Sequence, residues 1–140
     1  MPDLSLTDAQ LTALLQAARA AQARAYAPYS RFRVGAAVLD DRGLIHAGCN
    51  VENAAYPEGV CAEAGAFSAM VLAGSRRVQA LVVIGDGAAL VTPCGGCRQK
   101  LREFAAPDTP VLIAAANGVR ARFTLAQLLP ESFGPENLQP

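Results

Sequence analysis

Charge is scarce in this chain. Asp, Glu, Lys and Arg make up 17% of its 140 residues, against about 25% in an ordinary soluble domain, and no basic run occurs. The 12 basic and 12 acidic side chains cancel, so the positive footprint of polynucleotide binding is missing and no nucleic-acid partner is expected. Long apolar runs are also lacking: none approaches the roughly 18 residues of a membrane span. The N-terminus has neither the basic start nor the apolar stretch of a signal peptide. The expectation is a cytoplasmic protein with no membrane partner. Histidine is reduced to one residue, His46, and nothing is patterned around it, so it reads as structural. The four cysteines could form two disulfides, but a reducing compartment and a Cys-x-x-Cys spacing favour metal.

Apolar side chains are abundant instead, at 52% of the chain. Its length fits one domain over 1–140, with enough residues for a real core. So little charge leaves apolar surface over, which suits burial against copies of the same chain.

A capping box at Thr7 and Gln10 opens a helix over residues 8–26, with Leu11, Leu14, Leu15, Ala18 and Ala25 on one face. Pro28 biases Ala27 away from helical geometry. Residues 32–39 and 44–51 read as strands joined through Asp40-Asp41-Arg42-Gly43, a connection short enough to make them antiparallel. Asn50 to Gly59 is loop-like. An apolar helix runs from Cys61 to Ala73 and stops at Gly74. A strand over 80–86, a Gly/Ala loop and a helix over 94–104 follow. Strands 111–116 and 119–123 flank Asn117-Gly118, the strongest short hairpin signal, so they run antiparallel. Thr124 caps a last short helix that Pro130 ends. The tail from Glu131 to Pro140 is polar except for Phe133.

Two segments carry the chemistry: Cys61-Ala62-Glu63 and Pro93-Cys94-Gly95-Gly96-Cys97. Three soft thiolate ligands suit Zn²⁺, and three protein ligands with one open position mark a catalytic rather than a structural zinc. No fourth ligand sits at a ligand-like spacing. Glu63, two residues past a ligand, is placed for proton transfer, and zinc-dependent nucleobase deaminases carry such a Glu beside a Cys-x-x-Cys. Both ligand segments lie at helix starts, where free N–H groups and the helix dipole favour thiolates. Glu52, delivered beside the zinc helix, and Asn50 are natural partners for sugar hydroxyls.

Read outward, the segments 28–37, 48–56, 61–63, 93–99 and 128–136 occur in the order found in the small homotetrameric cytidine deaminases, which the chain resembles along almost its whole length. The resemblance implies a three-layer α/β/α fold with a five-stranded mixed sheet and an antiparallel last hairpin. It implies one zinc per chain on Cys61, Cys94 and Cys97, with Glu63 as the catalytic acid/base. It further implies a nucleoside site that includes Asn50 and Glu52 at the ribose 3′-hydroxyl, and Phe32 and Ala62 beside the base. It also implies that Phe133 and contacts near Tyr56 come from neighbouring subunits of a homotetramer with shared active sites. The reaction implied is deamination of cytidine and 2′-deoxycytidine in pyrimidine salvage. The short hairpin fits a free-nucleoside enzyme, since relatives that act on polynucleotides use a longer, parallel crossover. One departure stands out: many members follow the Cys-Ala-Glu with arginine, which offsets the negative charge of the thiolates, and this chain has Ala64. Backbone N–H donors, helix ends or Arg98 must then compensate. Rival readings fit less well. A deaminase for a nucleoside-like antibiotic would have lost the Asn50/Glu52 pair, a structural zinc module has no use for Glu63, and a Cys-x-x-Cys redox protein leaves Cys61 unexplained.

Overall fold

The computed structural model describes residues 6–139. Residues 1–5, the start of the stretch expected to carry no signal peptide, and Pro140 of the tail lie outside the described residues. Strand β1 (Val34–Asp40) is buried on both faces from Gly35 onward, the mark of a strand with a layer on each side. It lies second in a five-stranded sheet of order β2-β1-β3-β4-β5, the others being β2 (Ile45–Cys49), β3 (Val78–Gly85), β4 (Pro110–Ala115) and β5 (Gly118–Thr124). Only β3 and β4 pair in parallel; every other pairing is antiparallel. The mixed sheet and the antiparallel last hairpin match the expectation.

The period of two along each strand sorts the core into two halves. Ala37, Leu39, Ala80, Val82 and Leu112 pack against Leu14 and Ala18 of helix α1 (Asp8–Gln22). Ala36, Val38, Leu81, Val83 and Ile113 face the other side. There they meet Ala66, Phe67 and Met70 of α2 (Ala62–Leu72), Leu101 of α3 (Gly95–Phe104) and Leu125 of α4 (Leu125–Leu128). Leu81 and Ile113 are almost wholly enclosed, so cutting either back to alanine costs about 2–5 kcal/mol. No helix of the described residues is long and apolar enough to cross a membrane.

Helix boundaries moved where distant backbone intervened. The capping box at Thr7 is formed, but α1 ends at Gln22, leaving Ala25 beyond it, because the backbone of Tyr26 bonds Asn50 and Glu52 across the chain. Strand β2 stops at Cys49 rather than 51, since Asn50 turns its side chain to the loop before β1. The hairpin turn is Ala116-Asn117, one residue earlier than expected: Gly118, at φ 124, already pairs with Ala115. His46 is structural, as expected. Its Nε2–H donates to the buried Asp40 carboxylate at 2.8 Å.

Candidate active site

One close contact fixes where the zinc-site helix begins. A Cβ on Gly48 of β2 would lie 2.4 Å from the Ala62 carbonyl oxygen and 2.5 Å from the Ala66 nitrogen, so the start of α2 rests directly on strand backbone. Cys61 is the N-cap of α2 and Cys94 the N-cap of α3, neither with a side-chain cap bond. Two helices therefore open side by side, each with a thiol at its mouth. Cys97, one turn into α3, turns inward and is buried.

The three sulfurs lie within 4.8 Å of one another, and those of Cys61 and Cys94 are 3.9 Å apart. Tetrahedral zinc with Zn–S bonds near 2.3 Å holds its sulfurs about 3.8 Å apart, so the donor set fits that ion. The charges fit it too. Burial pushes the Cys61 and Cys97 thiols up, and the charges of Cys94 and Glu63 add to the effect. Burial opposes ionisation at Cys94 as well, yet the Cys97 backbone N–H and the neighbouring thiols bring it below its ordinary value. A divalent cation at their centre removes this like-sign repulsion.

Glu63 shares a 190 Å³ cavity with Cys61, Ala62, Cys94, Asn50, Val34, Val91 and Thr92. It is 4% exposed. Burial raises its pKa, against the pull of its own backbone N–H and the Cys97 side chain. A larger cavity, about 740 Å³, lies elsewhere, over Ala64, Phe67, Val71, Lys100 and Phe104. Its wall also carries Ser68, Gln99 and Glu103 but includes none of the three thiols and not Glu63. The small cavity is where the chemistry can occur.

A second cavity of 330 Å³ is lined by Tyr29, Ser30, Glu52, Asn53, Tyr56 and Gly59. The Glu52 carboxylate accepts the backbone N–H groups of Tyr29 and Ser30 and the Ser30 hydroxyl. That hydroxyl bond, against a smaller opposing effect of burial, holds Glu52 below its usual pKa and keeps it ionised at neutral pH. Asn50 accepts from the Val34 N–H at 2.9 Å and donates to the Phe32 carbonyl at 2.8 Å. Both residues pin the Tyr29–Val34 segment, and each retains hydrogen-bonding capacity for a ligand.

The other candidates are dispersed. Ala62 lines the small cavity; Phe32 does not, and its ring lies against Gly87. Tyr56 is 76% exposed and meets Tyr29 edge-on at 6.0 Å. Phe133 is 58% exposed and away from both cavities of its own chain.

Sequence reasoning left Arg98 open as a charge partner for the sulfurs. Its three guanidinium nitrogens bond the Pro93 and Leu128 carbonyls and the Thr92 hydroxyl. Arg98 therefore ties the Cys94 loop to the C-terminal segment, and backbone N–H donation at the start of α3 is what reaches a thiol.

The sequence model described as "Cytidine and deoxycytidylate deaminase zinc-binding region" matches residues 8–113. The chain belongs to the cytidine deaminase family. A cytidine deaminase from Sporosarcina psychrophila is 43% identical over 125 residues, spanning 89% of this chain and 92% of that one. One from Mycobacterium tuberculosis (strain H37Rv) is 42% identical over 118 residues, 84% and 85% of the two chains. The crystal structure of cytidine deaminase from Burkholderia pseudomallei superposes with a TM-score of 0.81 at 41% identity, covering 87% of this chain and 98% of that one. Within this family, Cys61, Cys94 and Cys97 are positioned to bind the zinc.

Proposed function

We infer that this chain hydrolyses cytidine and 2′-deoxycytidine to uridine and 2′-deoxyuridine with release of ammonia, as a cytoplasmic step of pyrimidine salvage. The observation that carries the reading is a buried carboxyl of raised pKa, Glu63, in the same small cavity as a three-thiol metal site. Zinc, when held by these sulfurs, supplies a Lewis acid that acidifies water to a pKa of about 7.

Glu63 takes a proton from the attacking water and delivers it to ring N3, which makes C4 electrophilic. It then moves the second proton to the departing amino group. A carboxyl that must be protonated for part of this cycle is served by burial, which raises its pKa. Ala62 and Val34 give the ring a flat, apolar wall. Asn50 and Glu52 hold the ribose 3′-hydroxyl and so fix the distance between base and metal.

The same reading covers assembly. The ring of Phe133 is exposed, and Tyr56, although it meets Tyr29, is exposed as well, so both leave aromatic surface that a neighbouring chain can cover. In a closed symmetric homotetramer each site receives Phe133 from a neighbour, so all four are completed together. One domain, 1–140, makes up each subunit.

Purified protein offered cytidine, 2′-deoxycytidine, adenosine and guanine tests the reaction, followed by absorbance and ammonia with zinc counted per chain. Turnover of the cytosine nucleosides alone, at one zinc per chain, is expected; turnover of adenosine or guanine, or none of cytidine, overturns it. Light scattering should give a mass near four times 14.5 kDa.

A further inference from the structure

The C-terminal tail has an unusual division between backbone and side chain at Phe133. Its carbonyl accepts the Gln99 Nε2–H at 2.9 Å, so the main chain is tied to α3, while the ring points into the open. One turn further along the same helix, Arg102 grips the residues on either side. Its Nε donates to the Ser132 hydroxyl at 2.9 Å and a terminal nitrogen donates to Glu136 at 3.0 Å. Between these two bonds the guanidinium lies over Gly134, where a Cβ would come within 2.3 Å of its central carbon. The Arg102 side chain is only 17% exposed, so it is an ordered clamp rather than a loose surface ion pair. Its strength rests on the enclosed bond to Ser132 and the flat contact with Gly134, because Glu136 is mostly exposed and such pairs contribute little.

We propose that Arg102 is a positioning residue for nucleoside binding, holding the tail so that Phe133 is presented at a fixed angle to a neighbouring subunit's site. This rests on the shared-site reading above and adds its mechanical cause. Arg102 touches neither substrate nor metal. It acts through the tail, and its effect is felt in another chain. Since α3 also carries Cys94 and Cys97, the clamp ties the aromatic lent outward to the helix that builds the chain's own metal site.

Arg102→Met should keep full zinc content and leave kcat within about twofold, but raise KM for cytidine about tenfold, short of the roughly 10²-fold that a full ångström of misplacement costs. Gly134→Ala should reproduce the rise without altering the arginine. Its φ of −151° suits any residue, and the added methyl displaces only the flexible end of Arg102. Arg102→Lys, which keeps the charge but not the flat fork, should be nearly as impaired as Arg102→Met.

The deciding measurement mixes Arg102→Met chains with Glu63→Gln chains and reads KM in the hybrids. Active sites then lie only in Arg102→Met chains, and those that borrow a tail from an intact-clamp partner should return to the wild-type KM. A KM that stays raised in demonstrated hybrids means that Arg102 acts within its own chain, which overturns the proposal. Phe133→Ala separates the two layers. If it leaves KM unchanged, the shared site fails and the clamp with it. If it raises KM while Arg102→Met and Gly134→Ala do not, the clamp alone fails.

Discussion

The metal pocket and the Glu52 rim are built on opposite plans. Around Cys61, Glu63, Cys94 and Cys97 the chain supplies its ligands and carboxyl from two adjacent helix starts, the first set on strand backbone, and Glu63 and Cys97 are buried. The rim is assembled from a loop, Tyr29 to Val34, that Glu52 and Asn50 hold in place, and from side chains such as Tyr56 that stand mostly in the open. On this division, chemistry and recognition are expected to fail separately. A change in the pocket should abolish the metal or the turnover and leave binding, whereas a change at the rim should weaken binding and leave the metal.

The sharpest test of that division is Cys94→Ala, which should lose both the zinc and all activity, while Cys49→Ala, on β2 and outside the cluster, keeps full metal content. Zinc lost from the Cys49 variant, or retained by the Cys94 variant, breaks the ligand assignment. Next in size is Glu63→Gln: zinc and nucleoside binding persist while kcat drops by at least the ~10²–10⁴-fold typical of a positioned acid/base. Glu52→Gln should act on the rim alone, damaging turnover of nucleosides with a 3′-hydroxyl far more than that of a 3′-deoxy analogue. Equal damage to both would reduce Glu52 to a residue that shapes the Tyr29–Ser30 turn.

The smallest effect lies away from both regions, at Asp40. Burial works to raise its pKa, but hydrogen bonds led by His46, with the Leu44 and Arg42 N–H groups, hold it well below the usual carboxylate range. A depressed folded-state pKa stabilises the fold fully above the unfolded value of about 4, and progressively less as pH falls from there toward the folded-state value. Urea midpoints should therefore drop between pH 5 and 3 (about the range where an unfolded Asp titrates) more steeply for the wild type than for Asp40→Asn, with activity per folded molecule at pH 7 unchanged.

Those features that depend on neighbours in sequence were legible without coordinates. Capping at Thr7, the hairpin near Asn117, the ligand segments and the strand alternation all act over a few residues. The bonds that set exact boundaries and shape the rim join distant segments: Ser30 to Glu52 across 22 positions, Arg102 to Ser132 across 30, Gln99 to Phe133 across 34. No local pattern announces them. The same holds for Arg98, whose place beside Cys97 suggested sulfur and whose bonds go to oxygen.

The bare contact at Gly48 has a consequence for how this protein fails. Because no side chain separates α2 from β2 there, the position of Cys61 is a property of backbone against backbone and does not pass through the compressible filling of the core. Loosening that filling, by shortening Met70 or Leu81, should lower the melting temperature without blurring the metal site in the molecules that remain folded. Damage of this kind would be read as fewer working copies, each of ordinary quality, while a methyl group at position 48 would yield copies that are folded and subtly out of true.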